Sequence, residues 1–237
     1  MHDSLRAILA PAYEPCIGFS STCTAMTWNP QAGHVPRGFC GATGDSSEVE
    51  LVLVVAEPGD PHHGERHTSI DSAFDFALAA FRNGSDLFHR NVRRILDSCW
   101  PDLDFDQQMK KAWITESVLC SASRECGAVS SSIGVACARR YLIPQIKSFD
   151  SALVVALGRK AQDRLRSVGF HDFYPAFAVA PPGCNQKAAK ESWARIPNEL
   201  EKKKRPNGPV QLIPMPSALL SCLLRSQEIM PKASGDT

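Results

Sequence analysis

Across 237 residues the chain carries 26 Lys and Arg against 25 Asp and Glu, a formal net charge of +1, and 43% hydrophobic side chains. That is enough apolar material for a substantial core, and the balanced charge excludes a wholly basic or acidic surface; a nucleic-acid contact must come from local basic clusters. No stretch is long and apolar enough to cross a bilayer, and MHDSLRAILAP lacks the basic start, apolar middle and small-residue cleavage site of a secretory signal, so a cytosolic protein is expected. In a reducing compartment, nine cysteines with no C-x-x-C pair among them point to thiols or metal ligands rather than to a disulfide framework.

Residues 1–48 read as loop-rich. Then 51–56, within LVLVVAEPGDPHHGE, is a continuous Leu/Val run that suits a strand covered on both faces, stopping at Glu57 and Pro58. Residues 70–82 have helical spacing, with Asp71 or Ser72 near the start and Asn83-Gly84 as a stop. A second helix is predicted over 87–98, with Val92, Ile95 and Leu96 on one face. AWITESVLC, 112–120, reads as a second strand, 131–147 as a helix, and 152–157 as a third buried strand. RKAQDRLRSVG follows as a helix with Gly169 past its end. FAVAPP, 177–182, reads as a short strand, 185–204 as a polar helix, and 209–225 as a strand passing into a helix. Residues 226–237 are expected to fray.

Strands alternating with helices predict an α/β layered fold with a mostly parallel sheet, formed by a single domain over 1–237. In such sheets the functional crevice lies beyond the carboxyl ends of the strands, which puts AEPGDP, TES, LGRK and PMPS at one rim.

Three segments, WITESVLC, CARRYLIPQIKSFDSALVVALGRKAQDRL and IPMPSALL, resemble in order, spacing and context the uracil-DNA glycosylase superfamily, most closely its bacterial iron–sulfur branch. The likeness runs over about 51–225. It implies a three-layer α/β/α sandwich around a mostly parallel four-stranded sheet, a monofunctional DNA glycosylase acting as a monomer, and DNA as partner.

In the superfamily the first strand ends in a loop around a proline, and the residue before it handles the attacking water. VVAEPGDP puts Glu57 there, with Pro58 and Gly59 shaping the loop. The chemistry wants a carboxylate at this point, because cleaving an N-glycosidic bond passes through a cation-like sugar and needs an oriented water. Capping of the following turn is the alternative for Glu57, although caps favour Asp, Ser or Asn. The resemblance makes Phe88 the residue that stacks a flipped base; core packing explains a Phe at a helix start equally well.

Where relatives carry Asn in "ITN", this chain has Glu116. An ionised Glu faces uracil O4 badly but accepts from cytosine N4, and a protonated one also donates to N3. A modified cytosine, of the kind carried by phage with altered DNA, is therefore favoured over uracil; a salt bridge at Glu116 is the plain alternative. Met215 stands where relatives have the His that assists at the base, and a thioether is a weak acceptor. Ser217 is a candidate phosphate contact and Leu219 the wedge that fills the vacated stack, unless Met215 and Leu219 simply pack at a strand–helix junction.

Arg159 and Lys160, at a helix start, are candidate DNA contacts, with Arg90, Arg93, Arg94 and the 202–205 run behind them. His62, His63, Arg66 and His67 sit on an added loop that either meets a bulky base or is merely solvated. Cys120 and Cys137 match two ligands of the branch's [4Fe–4S] cluster; Cys16 and Cys23, with Cys40 in reserve, are the nearest candidates for the others. Zinc or free buried thiols are the alternatives. The rival readings are a uracil-repair enzyme and a DNA-binding module without catalysis.

Overall fold

The chain divides into a unit of Met1–Lys204 and a second of Arg205–Thr237. A computed structural model describes residues 1–13, 16–123 and 127–205. Met215, Ser217 and Leu219, and the strand and helix expected over 209–225, lie outside the described residues.

Three all-buried strands build the centre: β2 (Leu51–Val55), β3 (Ala112–Glu116) and β4 (Leu153–Leu157). Their unbroken Leu, Val, Ile and Ala content fits coverage on both faces. β2 pairs in parallel with both β3 and β4, and β4 pairs in parallel with β5 (Tyr174–Ala176). A two-residue strand, β1 (Cys40–Gly41), adds antiparallel to β3, giving the order β1-β3-β2-β4-β5. The sheet is thus mixed and five-stranded rather than four-stranded and parallel. The extra edge comes from the segment expected to be loop, where two residues carry too little pattern to read.

Helices flank the sheet. α2 (Ile70–Asn83), α3 (Leu87–Cys99), α8 (Lys187–Ala194) and α9 (Ile196–Lys204) pack in a chain of neighbours, while α1 (Asp3–Tyr13), α5 (Ser131–Cys137), α6 (Ile143–Lys147) and α7 (Arg159–Ser167) form another. The arrangement is consistent with a three-layer sandwich. A short α4 (Phe105–Lys111) leads into β3. Among the described residues no helix is long and apolar enough to cross a membrane.

Local chemistry accounts for most boundaries. Ser69 caps α2 in a reciprocal box with Ser72, and Gly84 closes it in the left-handed region at φ +60°. Asp86 caps α3 by accepting from the His89 N–H at 3.0 Å. Between α5 and α6 the helix widens to a π turn over Ala138–Leu142, just before Pro144, whose missing N–H and ring disfavour the regular bonding pattern. Gln145 ties that turn to the sheet: its Oε1 accepts from Trp113 Nε1 at 3.0 Å and Thr115 Oγ1 at 2.7 Å, and its Nε2 donates to the Tyr141 carbonyl.

Four further expectations need correction. Residues 3–13 are helix, with Leu5, Leu9 and Ala12 buried on one face. The strand expected over 112–120 stops at Glu116, where the Ser117 N–H and Oγ turn inward to the carbonyls of Val55 and Ala56. The strand expected over 177–182 falls earlier, at 174–176, and the run expected as one helix over 185–204 is broken into α8 and α9.

Candidate active site and cysteine cavity

The carboxyl ends of β2, β3, β4 and β5 open onto one rim. A cleft of about 340 Å³ there is lined by Glu57, Pro58, Gly59, Phe88 and Glu116, so it gathers all five described residues expected at the base. The rim position after the fourth parallel strand is taken by Ala178, Val179 and Ala180, which also line the cleft. Asn91 donates to the Val179 carbonyl at 2.9 Å and holds that wall.

Glu57 leaves β2 two residues past its last strand position, with only 9% of its side chain exposed. Neither of its partners is a turn N–H: Oε1 meets the Lys160 ammonium and Oε2 the Arg164 guanidinium, the latter at 2.5 Å. Lys160 is therefore engaged within the site, whereas Arg159 beside it is almost fully exposed. Arg164 also donates to the Ala56 carbonyl at 2.7 Å and to Ser117 Oγ at 3.0 Å.

Glu116 occupies the neighbouring strand end, in register with Val55. It is buried, and its Oε2 has no hydrogen-bond partner among the described residues. Burial, then the charge of Glu57, push its carboxyl well above the usual carboxylate range, against the smaller pull of Arg164 and Arg37. Its surroundings thus favour the protonated form. Gly38, at φ +84°, makes this packing possible: a Cβ there would stand 2.6 Å from Glu116 Cγ.

Phe88 is half-buried at the side of the cleft, tilted on Phe81 with ring centroids 5.6 Å apart. Beyond it lie His89, its Nδ1 2.9 Å from Asp86 Oδ1, and the more exposed His62. Burial pushes the His89 imidazole below its ordinary value. His67 lies on the same added loop but has no exposed side chain; it pairs with Glu65 at 2.6 Å, and Glu65 also faces Arg37. His63 and Arg66 are exposed. Much of the added loop is thus anchored by a buried network, and His62 is the residue of the four that lines the cleft.

Arg37, Gly38, Asp86, His89 and Arg164 were not anticipated. A signal existed for Arg164, which shares the inward face of α7 with Ala161 and Leu165 at i, i+3 and i+4 spacing. Elsewhere the charge runs are largely self-paired: Lys202 with Glu199, Lys203 with Asp172, Lys204 with Glu50 and Glu201, and Arg93 with Asp97.

The four expected cluster ligands also come together. Cys16, Cys23, Cys120 and Cys137 all line a second cavity of about 330 Å³, closed by Phe19, Met26, Ile133 and Tyr141. Gly18 lies between two of them, since a Cβ on it would be 2.9 Å from Cys23 Sγ and 3.5 Å from Cys16 Sγ. Its N–H donates to Cys16 Sγ at 3.3 Å. Burial raises the thiols of Cys23, Cys120 and Cys137, the last to about 12. Among the described residues no His, Cys, Asp or Glu group is drawn together as a single-ion site. A cavity lined by four thiols, three of them partly buried, with a backbone donor to sulfur nevertheless fits the donor set of an iron–sulfur cluster. Cys40 is buried in β1, part of the main core.

Fold and site together define an α/β protein with two unlike carboxylates in a cleft at the carboxyl ends of its parallel strands. In comparisons with known proteins the chain matches no family model, and no curated protein matches it.

Proposed function

We propose that the chain is a monofunctional DNA glycosylase of the uracil-DNA glycosylase type that hydrolyses the N-glycosidic bond of a flipped base, a modified cytosine in preference to uracil. The observation that carries the reading is the pairing, in one cleft beside Phe88, of a carboxylate held by two cations and a buried carboxyl whose burial favours the protonated form. Environments that separate two neighbouring acids in this way commonly assign them different catalytic tasks.

In the proposed reaction the base leaves the duplex stack and lies against Phe88. Glu116 accepts from the exocyclic N4 amine and donates its proton to N3, so that the departing ring leaves neutral. As the C1′–N1 bond breaks, positive charge grows on the sugar, and the Glu57 carboxylate stabilises it. Water held by Glu57 adds to C1′ and passes its proton to the Glu57 carboxylate, and exchange through solvent returns that proton to the deprotonated Glu116, leaving an abasic sugar and the free base. The 202–205 run is largely self-paired, so Arg159 and Lys160, at the start of α7, are the proposed phosphate contacts. Cys16, Cys23, Cys120 and Cys137 would hold a [4Fe–4S] cluster, whose contribution when bound is to clamp the N-terminal segment to the loop after β3. A cytosolic setting and a role against phage with altered cytosines belong to the same proposal.

Uracil excision is the second reading, favoured by the protonation of Glu116: a neutral carboxyl also accepts from uracil N3–H and donates to O4. Cytosine alone, however, needs a proton at its ring edge to leave readily. Mass spectrometry of bases freed from matched duplexes and single strands tests the proposal. Release of modified cytosine supports it, release of uracil alone supports repair, and DNA binding with no base released supports a module without catalysis.

A further inference from the structure

Two carboxylates at adjacent strand ends would ordinarily compete for a proton, and which one keeps it depends on the charges around them. Facing the pair are Lys160 and Arg164 from α7 and Arg37 from the N-terminal segment, while Asp60 and Glu65 act in turn on Arg37. We propose that Arg164 is a positioning residue that holds Glu57 as the charged member of the pair. This rests on the reading of Glu57 and Glu116 as the working carboxylates.

Three features single out Arg164. Its side chain is 10% exposed, whereas Lys160 is 50% exposed, so solvent screens the ammonium more than the guanidinium. It is fixed by three oxygens at once, as acceptors or ion-pair partner: it donates to the Ala56 carbonyl and Ser117 Oγ and forms an ion pair with Glu57 Oε2. Those acceptors belong to the ends of β2 and β3, so one rigid fork sets both the position and the ionisation of the carboxylate between them. Its stem also needs the space that Gly134 leaves on α5, where a Cβ would lie 3.3 Å from Arg164 Cγ. A lysine ammonium at the same place is a point charge without the planar fork that spans these acceptors.

The device has a consequence for the reaction. With Oε2 held by a buried, immobile partner and Oε1 by an exposed one, Oε1 is the oxygen that becomes free to take a water when Lys160 turns to a phosphate. Arg164 keeps the carboxylate aimed while that happens.

The test needs no substrate. Protein labelled with carboxyl-¹³C glutamate is titrated by NMR, with the two resonances assigned from Glu57→Gln and Glu116→Gln. In the native chain Glu57 ionises at lower pH than Glu116. Arg164→Met raises the Glu57 midpoint by about one pH unit or more, and Arg164→Lys moves it less in the same direction. A Glu57 midpoint that stays put in both variants overturns the proposal, as does a native chain in which Glu116 ionises first. If Arg164→Met does not fold, Arg164→Lys alone decides by the same criterion. Because no base release enters the readout, failure of the glycosylase reading registers separately, as a normal titration with no product.

Discussion

Replacing Gly38 by Ala isolates how tightly Glu116 is packed. Two penalties add. The backbone at φ +84° is left-handed, which costs an L-residue about 1–2 kcal/mol. The new methyl would stand 2.6 Å from Glu116 Cγ and 2.8 Å from its Oε1, forcing a buried side chain to shift, an overpacking cost of about 1–3 kcal/mol. The sum, about 2–5 kcal/mol, corresponds to a fall in Tm of roughly 4–20 °C for a chain of this size. Gly64 supplies the control, because it has a similar φ of +79° but nothing within 4 Å of an added Cβ. Gly64→Ala therefore carries the backbone penalty alone. Urea unfolding followed by tryptophan fluorescence measures both variants, and the difference between them is the collision with Glu116. In a Glu116→Ala background the two glycine substitutions should cost the same. Equal costs in the native background would refute the packing described for Glu116.

Other predictions bear on charge, caps and sulfur. Glu116 keeps its proton in the fold above the ordinary carboxyl value of 4.5, where the unfolded chain has lost it. Its contribution to stability is therefore complete below that value and is lost as pH rises toward its folded pKa, by at most about 1.4 kcal/mol per pH unit. His89, held below its ordinary value by burial, acts with the opposite sign, so the comparison is native chain against Glu116→Gln, and the difference in unfolding free energy should narrow with rising pH; a flat difference contradicts a protonated Glu116. Asp86→Ala removes the cap of α3 and should lower stability by about 1 kcal/mol in the same urea experiment. Single Cys→Ser changes at Cys16, Cys23, Cys120 or Cys137 should each reduce iron and acid-labile sulfide after reconstitution, while Cys40→Ser, in the core, should alter stability and leave iron per folded chain unchanged.

The centre of the fold was readable because its signal is long and uniform. LVLVV and LVVAL are buried on both faces as their composition requires, and Gly84 ends α2 where the stop was expected, although the cap at its start is Ser69 rather than Asp71 or Ser72. β1 escaped because two residues cannot show alternation, and α1 because Pro11 interrupts a face that Leu5, Leu9 and Ala12 otherwise mark. At the site, Glu57 and Glu116 were visible as acids at the ends of apolar runs. What fixes their charge was not visible, since Arg164 and Gly38 lie far away in the chain and only packing brings them close. The cysteines show the same division: Cys120 and Cys137 stood out by context, and it takes the fold to bring Cys16 and Cys23 to the same cavity.

The central claim is that the carboxylate at the mouth of β2 drives hydrolysis of a base held against Phe88. Single-turnover base release by Glu57→Gln, measured beside DNA affinity on the same oligonucleotide, tests it most directly. The account predicts release slowed by at least about 100-fold with affinity unchanged. Release at the native rate would contradict it.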